Sequence, residues 1–222
     1  ELMLADLESL ERRIQNAVKK ARGNDKEAKE QVALMERIVP VLEDGKPARM
    51  ADISDDEQTL FRQLQLLTSK PVLYVCNVEE DNAAEGNEHS AKVASMAAEK
   101  GAEAVIISAK IESEIALMDD PADKAEFLET MGLTEPGLNK IIRAGYKLLD
   151  LLTFFTVGPK EARAWTVARN STAPQAAGVI HTDFERGFIK AETIAYDDFV
   201  ALGGESAARE AGKLRQEGKE YI

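Results

Sequence analysis

The residues best placed to do chemistry stand at the ends of two short apolar runs. In Pro71-Val-Leu-Tyr-Val-Cys-Asn-Val-Glu-Glu80, five of the six residues from Val72 to Asn77 are apolar or aromatic and three are β-formers, so the run reads as a short strand buried on both faces. Asn77, Val78 and Glu80 close it with an amide that donates and accepts, an apolar wall and a carboxylate. About thirty residues later Ala104-Val-Ile-Ile-Ser-Ala-Lys110 repeats the pattern and ends in Ser108, Ala109 and Lys110. Two strand ends side by side make a crevice, which is where open α/β sheets bind ligands. The chemistry on offer is recognition by hydrogen bonds. Two histidines and one cysteine make no zinc site, and no catalytic residue is assigned. Cys76 lies within the first strand, where packing is the first reading and redox sensing the second.

These strand ends need elements to position them. From Leu4 to Arg22 the residues Leu7, Leu10, Ile14, Ala17 and Ala21 fall on one helical seam. Gly23-Asn-Asp25 marks a turn, and Ala28, Val32, Met35, Ile38 and Leu42 continue a second helix, so the economical arrangement is an antiparallel helical hairpin with a coiled-coil seam. Ser54 and Glu57 form a capping box that opens a helix carrying Leu60, Leu64 and Leu67. Between the two strands a helix from Glu88 to Lys100, stopped by Gly101, completes a βαβ unit whose strands should run parallel. Beyond Lys110 the chain is helical and acidic to Met131. Thr134 then caps a helix with Leu138, Ile141, Ile142, Tyr146 and Leu149 facing inward.

At Leu151 the texture changes. Thr153–Val157 and Ala164–Ala168 read as strands of a hairpin turned at Gly158-Pro159. A short helix between Ala173 and Phe184, a strand at Gly187–Ile194 and a helix at Tyr196–Leu202 follow, making a small α+β domain. The final Lys219–Ile222 reads as the start of another apolar run.

The net charge of −12 argues against wholesale coating of nucleic acid, but it is unevenly spread. Residues 1–69 carry 11 basic and 14 acidic side chains, residues 70–150 carry 8 and 16, and residues 151–222 carry 9 and 10. The last segment is therefore the one best suited to an anionic partner such as RNA. No apolar run approaches the roughly 18 residues of a membrane span, and Glu1-Leu-Met-Leu-Ala-Asp6 has neither the basic nor the apolar stretch of a signal peptide. A soluble protein of a reducing cytoplasm is expected, with no membrane partner. A sheet of two strands exposes both edges, so further strands are expected upstream of Glu1, in a larger protein of which this chain is a segment.

Four runs, in order, carry a resemblance: Glu1-Leu-Met-Leu-Ala-Asp-Leu-Glu8, Asn77-Val-Glu-Glu80, Ser108-Ala-Lys110 and His181-Thr-Asp-Phe-Glu-Arg-Gly-Phe-Ile-Lys-Ala-Glu192. Together they resemble the YchF or Obg-like ATPase family of P-loop NTPases, over essentially all 222 residues. The resemblance implies an α/β fold: residues 1–69 a coiled-coil helical insertion, 70–150 the C-terminal half of a nucleotide-binding G domain, and 151–222 an α+β, ubiquitin-like β-grasp TGS domain, truncated at its C-terminus. It implies a ribosome- and translation-associated protein that binds and hydrolyses ATP in preference to GTP, with Mg²⁺ held by ligands outside this segment. No G-x-x-x-x-G-K-[ST] run occurs in the 222 residues, so the phosphate-binding half is expected before Glu1 and the segment alone is expected to hydrolyse nothing.

The base-binding residues implied are Asn77, Val78, Glu80, Ser108, Ala109 and Lys110. Where ordinary GTPases place an aspartate that accepts two hydrogen bonds from guanine, this chain has Glu80. The Asn77 amide suits adenine, accepting from N6 and donating to N7. Asn77 also has a plain structural reading, as a cap on the turn after the strand. Arg163, Trp165, Arg169, His181, Arg186 and Lys190 are the candidate RNA or ribosome contacts, although Trp165 and His181 also suit structural roles. The competing function is a non-enzymatic RNA- or ribosome-binding module in which nucleotide acts only as a switch.

Overall fold

The computed structural model describes residues 1–23, 25–158 and 160–222. The chain forms two compact units, Glu1–Cys76 with Asn87–Ala104, and Asn77–Gly86 with Val105–Ile222. The turns expected at Asn24 and Pro159 involve residues outside those described.

In the first unit, helices α1 (Leu2–Ala21) and α2 (Lys26–Glu43) pack along the expected seam. Leu10 and Ala17 are buried with Leu34, Met35, Ile38 and Leu42, while Leu7, Ile14 and Val32 are partly buried beside them. The Asp25 carboxylate caps α2 by accepting from the Ala28 N–H at 3.1 Å. The Ser54/Glu57 capping box is present: the Glu57 carboxylate accepts from the Ser54 N–H at 3.2 Å and its hydroxyl at 2.8 Å. It opens a 3-10 turn that runs into α3 (Gln58–Gln63), whose Phe61 joins the core. The expected Leu60, Leu64, Leu67 line is cut short. Gln65 adopts a positive φ of 49°, the helix stops, and Leu66 is buried while Leu67 is exposed.

Asp6 is a feature that periodicity did not reveal. Only 3% exposed, it accepts from the Leu67 N–H (2.7 Å), the Thr68 N–H (2.7 Å) and the Thr68 hydroxyl (2.6 Å). Thr68 Oγ1 in turn accepts from the Ala48 N–H at 2.9 Å. A carboxylate buried among apolar side chains is tolerated because its oxygens are taken by donors.

Strands β1 (Leu73–Asn77) and β2 (Glu103–Ile107) form a two-stranded sheet, with α4 (Glu88–Glu99) between them in sequence. Asn87 caps α4, and Gly101 follows it with φ +63°, a conformation glycine adopts without penalty. Burial of β1 on both faces does not hold: Val75 is 45% exposed and β2 is half-buried throughout, because a two-stranded sheet leaves a face uncovered.

In the second unit the Val78 N–H donates to the Ile107 carbonyl at 2.9 Å, so the C-terminal ends of β1 and β2 lie side by side, as in a parallel pair. Helices α5 (Ala109–Ala116) and α6 (Pro121–Thr130) bury Ile111, Ile115 and Leu128 with Ala83. Helix α7 (Gly137–Leu148) is not capped by Thr134. It begins behind Pro136, which is locked in an extended conformation and offers no side-chain acceptor, and the Glu112 carboxylate of α5 accepts from the Gly137 and Leu138 N–H groups instead, at 2.6 and 3.1 Å. Its apolar stripe is only partly covered: Ile141 and Tyr146 are half-buried, whereas Leu138, Ile142 and Leu149 are exposed.

Strands β3 (Leu151–Val157) and β4 (Ala162–Ala168) are antiparallel, with Phe154 opposite Trp165 and Thr156 opposite Arg163. The single helix expected up to Phe184 is two, α8 (Ala173–Ile180) and α9 (Thr182–Arg186), broken where His181 takes an extended conformation (φ −161°, ψ 140°). The strand expected over Gly187–Ile194 shrinks to β5 (Ala191–Thr193). After α10 (Tyr196–Leu202) and α11 (Glu205–Glu210) it pairs antiparallel with β6 (Arg215–Glu217). Lys219–Ile222 is no strand; the Tyr221 carbonyl accepts from the Ala173 N–H at 2.7 Å. Among the described residues no helix is long and apolar enough to cross a membrane.

Candidate nucleotide-base site

Asn77 ends β1 and Ala109 opens α5, and the second unit brings the two together: Asn77 Oδ1 accepts from the Ala109 N–H at 2.9 Å. That N–H is one of the donors a helix leaves unpaired at its start. Ser108 occupies the N-cap position, where its hydroxyl is the usual partner, yet its side chain makes no capping bond and its Oγ is buried without a partner among the described residues. Asn77, 32 residues away in sequence, supplies the cap. A backbone N–H bound to the amide oxygen also fixes the amide's orientation, leaving Nδ2 with two protons to donate and Oδ1 with a second lone pair.

A second tie lies beside the first. Glu80 begins a 3-10 turn after β1, and its Oε2 accepts from Lys110 Nζ at 2.5 Å. The Glu80 carboxylate lifts the Lys110 ammonium above its ordinary pKa, first by hydrogen bonding and then by charge, with Glu114 and Glu79 adding to the effect. Val78 is 9% exposed, an apolar wall packed where β1 leaves the sheet. All six expected base-site residues thus lie on two adjacent segments, 77–80 and 108–110. Asn77, Ala109 and Lys110 are exposed, and Val78 and Ser108 are buried behind them.

Sequence reasoning missed the residues that brace this pair of segments. A Cβ on Gly137 would stand 2.8 Å from Ile107 Cγ2 and 3.0 Å from Glu112 Oε1, so glycine is required where α7 crosses the end of β2. Glu112 fixes that crossing from α5. Neither has a local signature, since the partners are separated by 25 residues or more.

The expected RNA-contact residues do not converge on one patch. The Arg163 guanidinium lies over the Trp165 ring at 4.2 Å, and Trp165 Nε1 donates to Thr156 Oγ1 at 2.9 Å. Arg169 follows the other end of β4, about 20 Å from Arg163 at strand rise, and faces Asp150 at 3.3 Å. His181 is the N-cap of α9, its Nδ1 accepting from the Asp183 N–H at 3.2 Å; Arg186 ends that helix, and Lys190 donates to Gln216 Oε1 at 2.9 Å.

Residues 151–222 match the family model described as "YchF-GTPase_C: Protein of unknown function (DUF933)". Over its full length the chain is 53% identical to the ribosome-binding ATPase YchF of Pasteurella multocida and 49% identical to that of Bacillus subtilis, covering 61% of each. It is 41% identical to Obg-like ATPase 1 of Oryza sativa subsp. indica, covering 57% of it. The whole chain superposes on 61% of the solved YchF GTPase of Schizosaccharomyces pombe with a TM-score of 0.83 at 34% identity. The chain therefore spans about three-fifths of the length of the curated relatives it matches. These likenesses run from Glu1 to Ile222, so the chain resembles the YchF and Obg-like ATPases over its whole length.

Proposed function

We propose that this chain is part of a cytoplasmic, ribosome-associated P-loop protein that binds and hydrolyses ATP in preference to GTP, and that segments 77–80 and 108–110 select the base. In this reading residues 1–69 are a coiled-coil insertion, 70–150 complete the G domain, and 151–222 are a TGS domain of β-grasp type. The observation that carries the reading is the double tie across the strand ends, Asn77 to Ala109 and Glu80 to Lys110. Asn77 Nδ2 is left to donate to N7, and the second lone pair of Oδ1 to accept from adenine N6. A Glu80 carboxylate committed to Lys110 is not offered as the double acceptor that guanine's N1–H and 2-amino group require. The names of the relatives, ribosome-binding ATPase and Obg-like ATPase, agree with this reading.

Phosphoryl transfer rests on holding phosphates and on electrostatic stabilisation, and the 222 residues contain no Walker sequence. Among the described residues no group of three or more His, Cys, Asp or Glu could hold a metal, and the ligands for Mg²⁺ are assigned to other parts of the protein. The 222-residue chain alone is inactive as a hydrolase, and its role is base choice and docking. Titration of the intact protein with ATP and GTP tests the proposal: tighter ATP binding supports it, and equal or tighter GTP binding ends it. Hydrolysis by the purified 222-residue chain would overturn the assignment of catalysis to other parts of the protein.

The Arg163–Trp165 pair favours a second, compatible activity. A cation stacked on a half-buried ring beside an exposed strand is a platform for an unpaired base, so 151–222 is the segment proposed to contact ribosomal or other structured RNA. Salt-dependent binding of RNA by this chain alone would favour the non-enzymatic binding-module reading as an independent activity.

A further inference from the structure

We infer that Lys110 is a specificity-determining positioning residue, which keeps the Glu80 carboxylate away from the base edge and thereby sets the preference for adenine over guanine. The inference rests on the base-site reading above and goes beyond it by assigning discrimination to a cation that need not touch the base.

Three observations carry it. Lys110 Nζ lies 2.5 Å from Glu80 Oε2, a charge-assisted hydrogen bond linking the turn after β1 to the first turn of α5. The Glu80 side chain is 28% exposed against 66% for Lys110, so the carboxylate is the more enclosed partner and its orientation depends on what holds it. The surroundings are acidic: Glu79 and Glu114 also act on the Lys110 charge.

Without the ammonium, the Glu80 carboxylate would lose its partner, and the negative charge of Glu79 and Glu114 nearby would go uncompensated. Such a field attracts the two donors on guanine's Watson–Crick edge and repels the N1 lone pair of adenine. Lys110 thus works by negative means, withdrawing from guanine an acceptor that Glu80 would otherwise provide.

The test uses the intact protein and measures Kd for ATP and GTP by competition against a fluorescent nucleotide. Lys110→Met keeps the apolar stem and removes the charge; Lys110→Arg keeps the charge. The Kd ratio of GTP to ATP should fall about three- to fivefold in Lys110→Met, the scale of an exposed ion pair, and stay near wild type in Lys110→Arg. Glu80→Gln should retain the wild-type preference, and combining it with Lys110→Met should restore most of the ratio. Equal weakening of both nucleotides in Lys110→Met would make the pair a structural tie only and overturn the inference, as would a loss of ATP preference in Glu80→Gln. If Lys110→Met does not fold, the Glu80→Gln result still decides. Wild-type protein without ATP preference brings down the base-site reading and this inference together, whereas wild-type preference surviving Lys110→Met brings down the inference alone.

Discussion

Asn77 caps a helix it does not belong to: its side-chain oxygen receives the Ala109 N–H at 2.9 Å, while the hydroxyl of Ser108, the residue in the capping position, has no partner among the described residues. The end of β1 and the start of α5 are thereby held in one geometry. Asn77→Ala should cost about 1 kcal/mol of stability, the usual value of an N-cap, and weaken nucleotide binding by more than that alone, because the same amide is proposed to meet the base. Chemical denaturation and nucleotide titration of one preparation separate the two effects.

Asp6 anchors the first unit through three donors at 2.6 to 2.7 Å. In Asp6→Ala the Leu67 and Thr68 N–H groups and the Thr68 hydroxyl lose their acceptor in a buried site, which should cost about 3 kcal/mol. Asp6→Asn replaces one acceptor oxygen with a donor facing donors and should recover little of the loss. The midpoint of urea unfolding for the three proteins checks the order.

Gly137 has no room for a methyl group. Gly137→Ala would press on Ile107 at the end of β2, with an overpacking cost of about 1–3 kcal/mol. Since Ile107 accepts the Val78 N–H, the strain reaches the base segments, and nucleotide affinity should fall with stability. Full affinity in a destabilised Gly137→Ala protein would show the segments to be mechanically independent.

Glu57 and Glu135 are held below their ordinary pKa of 4.5, Glu57 by the Ser54 hydroxyl and N–H and then Arg37, Glu135 by Arg143. A carboxyl with a depressed folded pKa contributes stability above its unfolded value, and the contribution is lost as pH falls through the folded value. Stability should therefore decline below about pH 4.5, with Glu57→Gln flattening its share of the slope. Carboxylate chemical shifts followed by NMR should show both midpoints below 4.5.

Trp165 is the chain's single tryptophan, so its emission reports directly on the Arg163 pairing. Arg163→Ala should change that emission, weaken RNA binding by the intact protein and reduce the slope of log affinity against log salt by about 1. An unchanged salt slope would remove Arg163 from the proposed contact.

Where sequence reasoning succeeded, the determinants were local. The Leu10 and Ala17 seam, the Ser54/Glu57 cap and the strand pair at Thr153–Ala168 each depend on residues a few positions apart, so spacing alone betrays them. The strand ends at Asn77 and Ile107 were legible because each closes a short, β-branched apolar run with polar residues. What escaped was long-range. Asp6 meets its partner Thr68 across 62 residues, Glu112 replaces the expected Thr134 cap across 25, and the Leu138 and Ile142 stripe gives no sign that it stays exposed. Periodicity says which side of a helix is apolar but not what covers it.

Glu112 also makes the second unit a linkage. It rides on α5, whose first residue is held by Asn77, and it grips the first turn of α7, whose far end passes through Leu149 and Asp150 into β3. A shift of α5 along its own axis must therefore drag the start of α7, as a rivet drags the second plate when the first is moved. The start of α5 is thus joined, through Glu112 and α7, to the hairpin that carries Trp165.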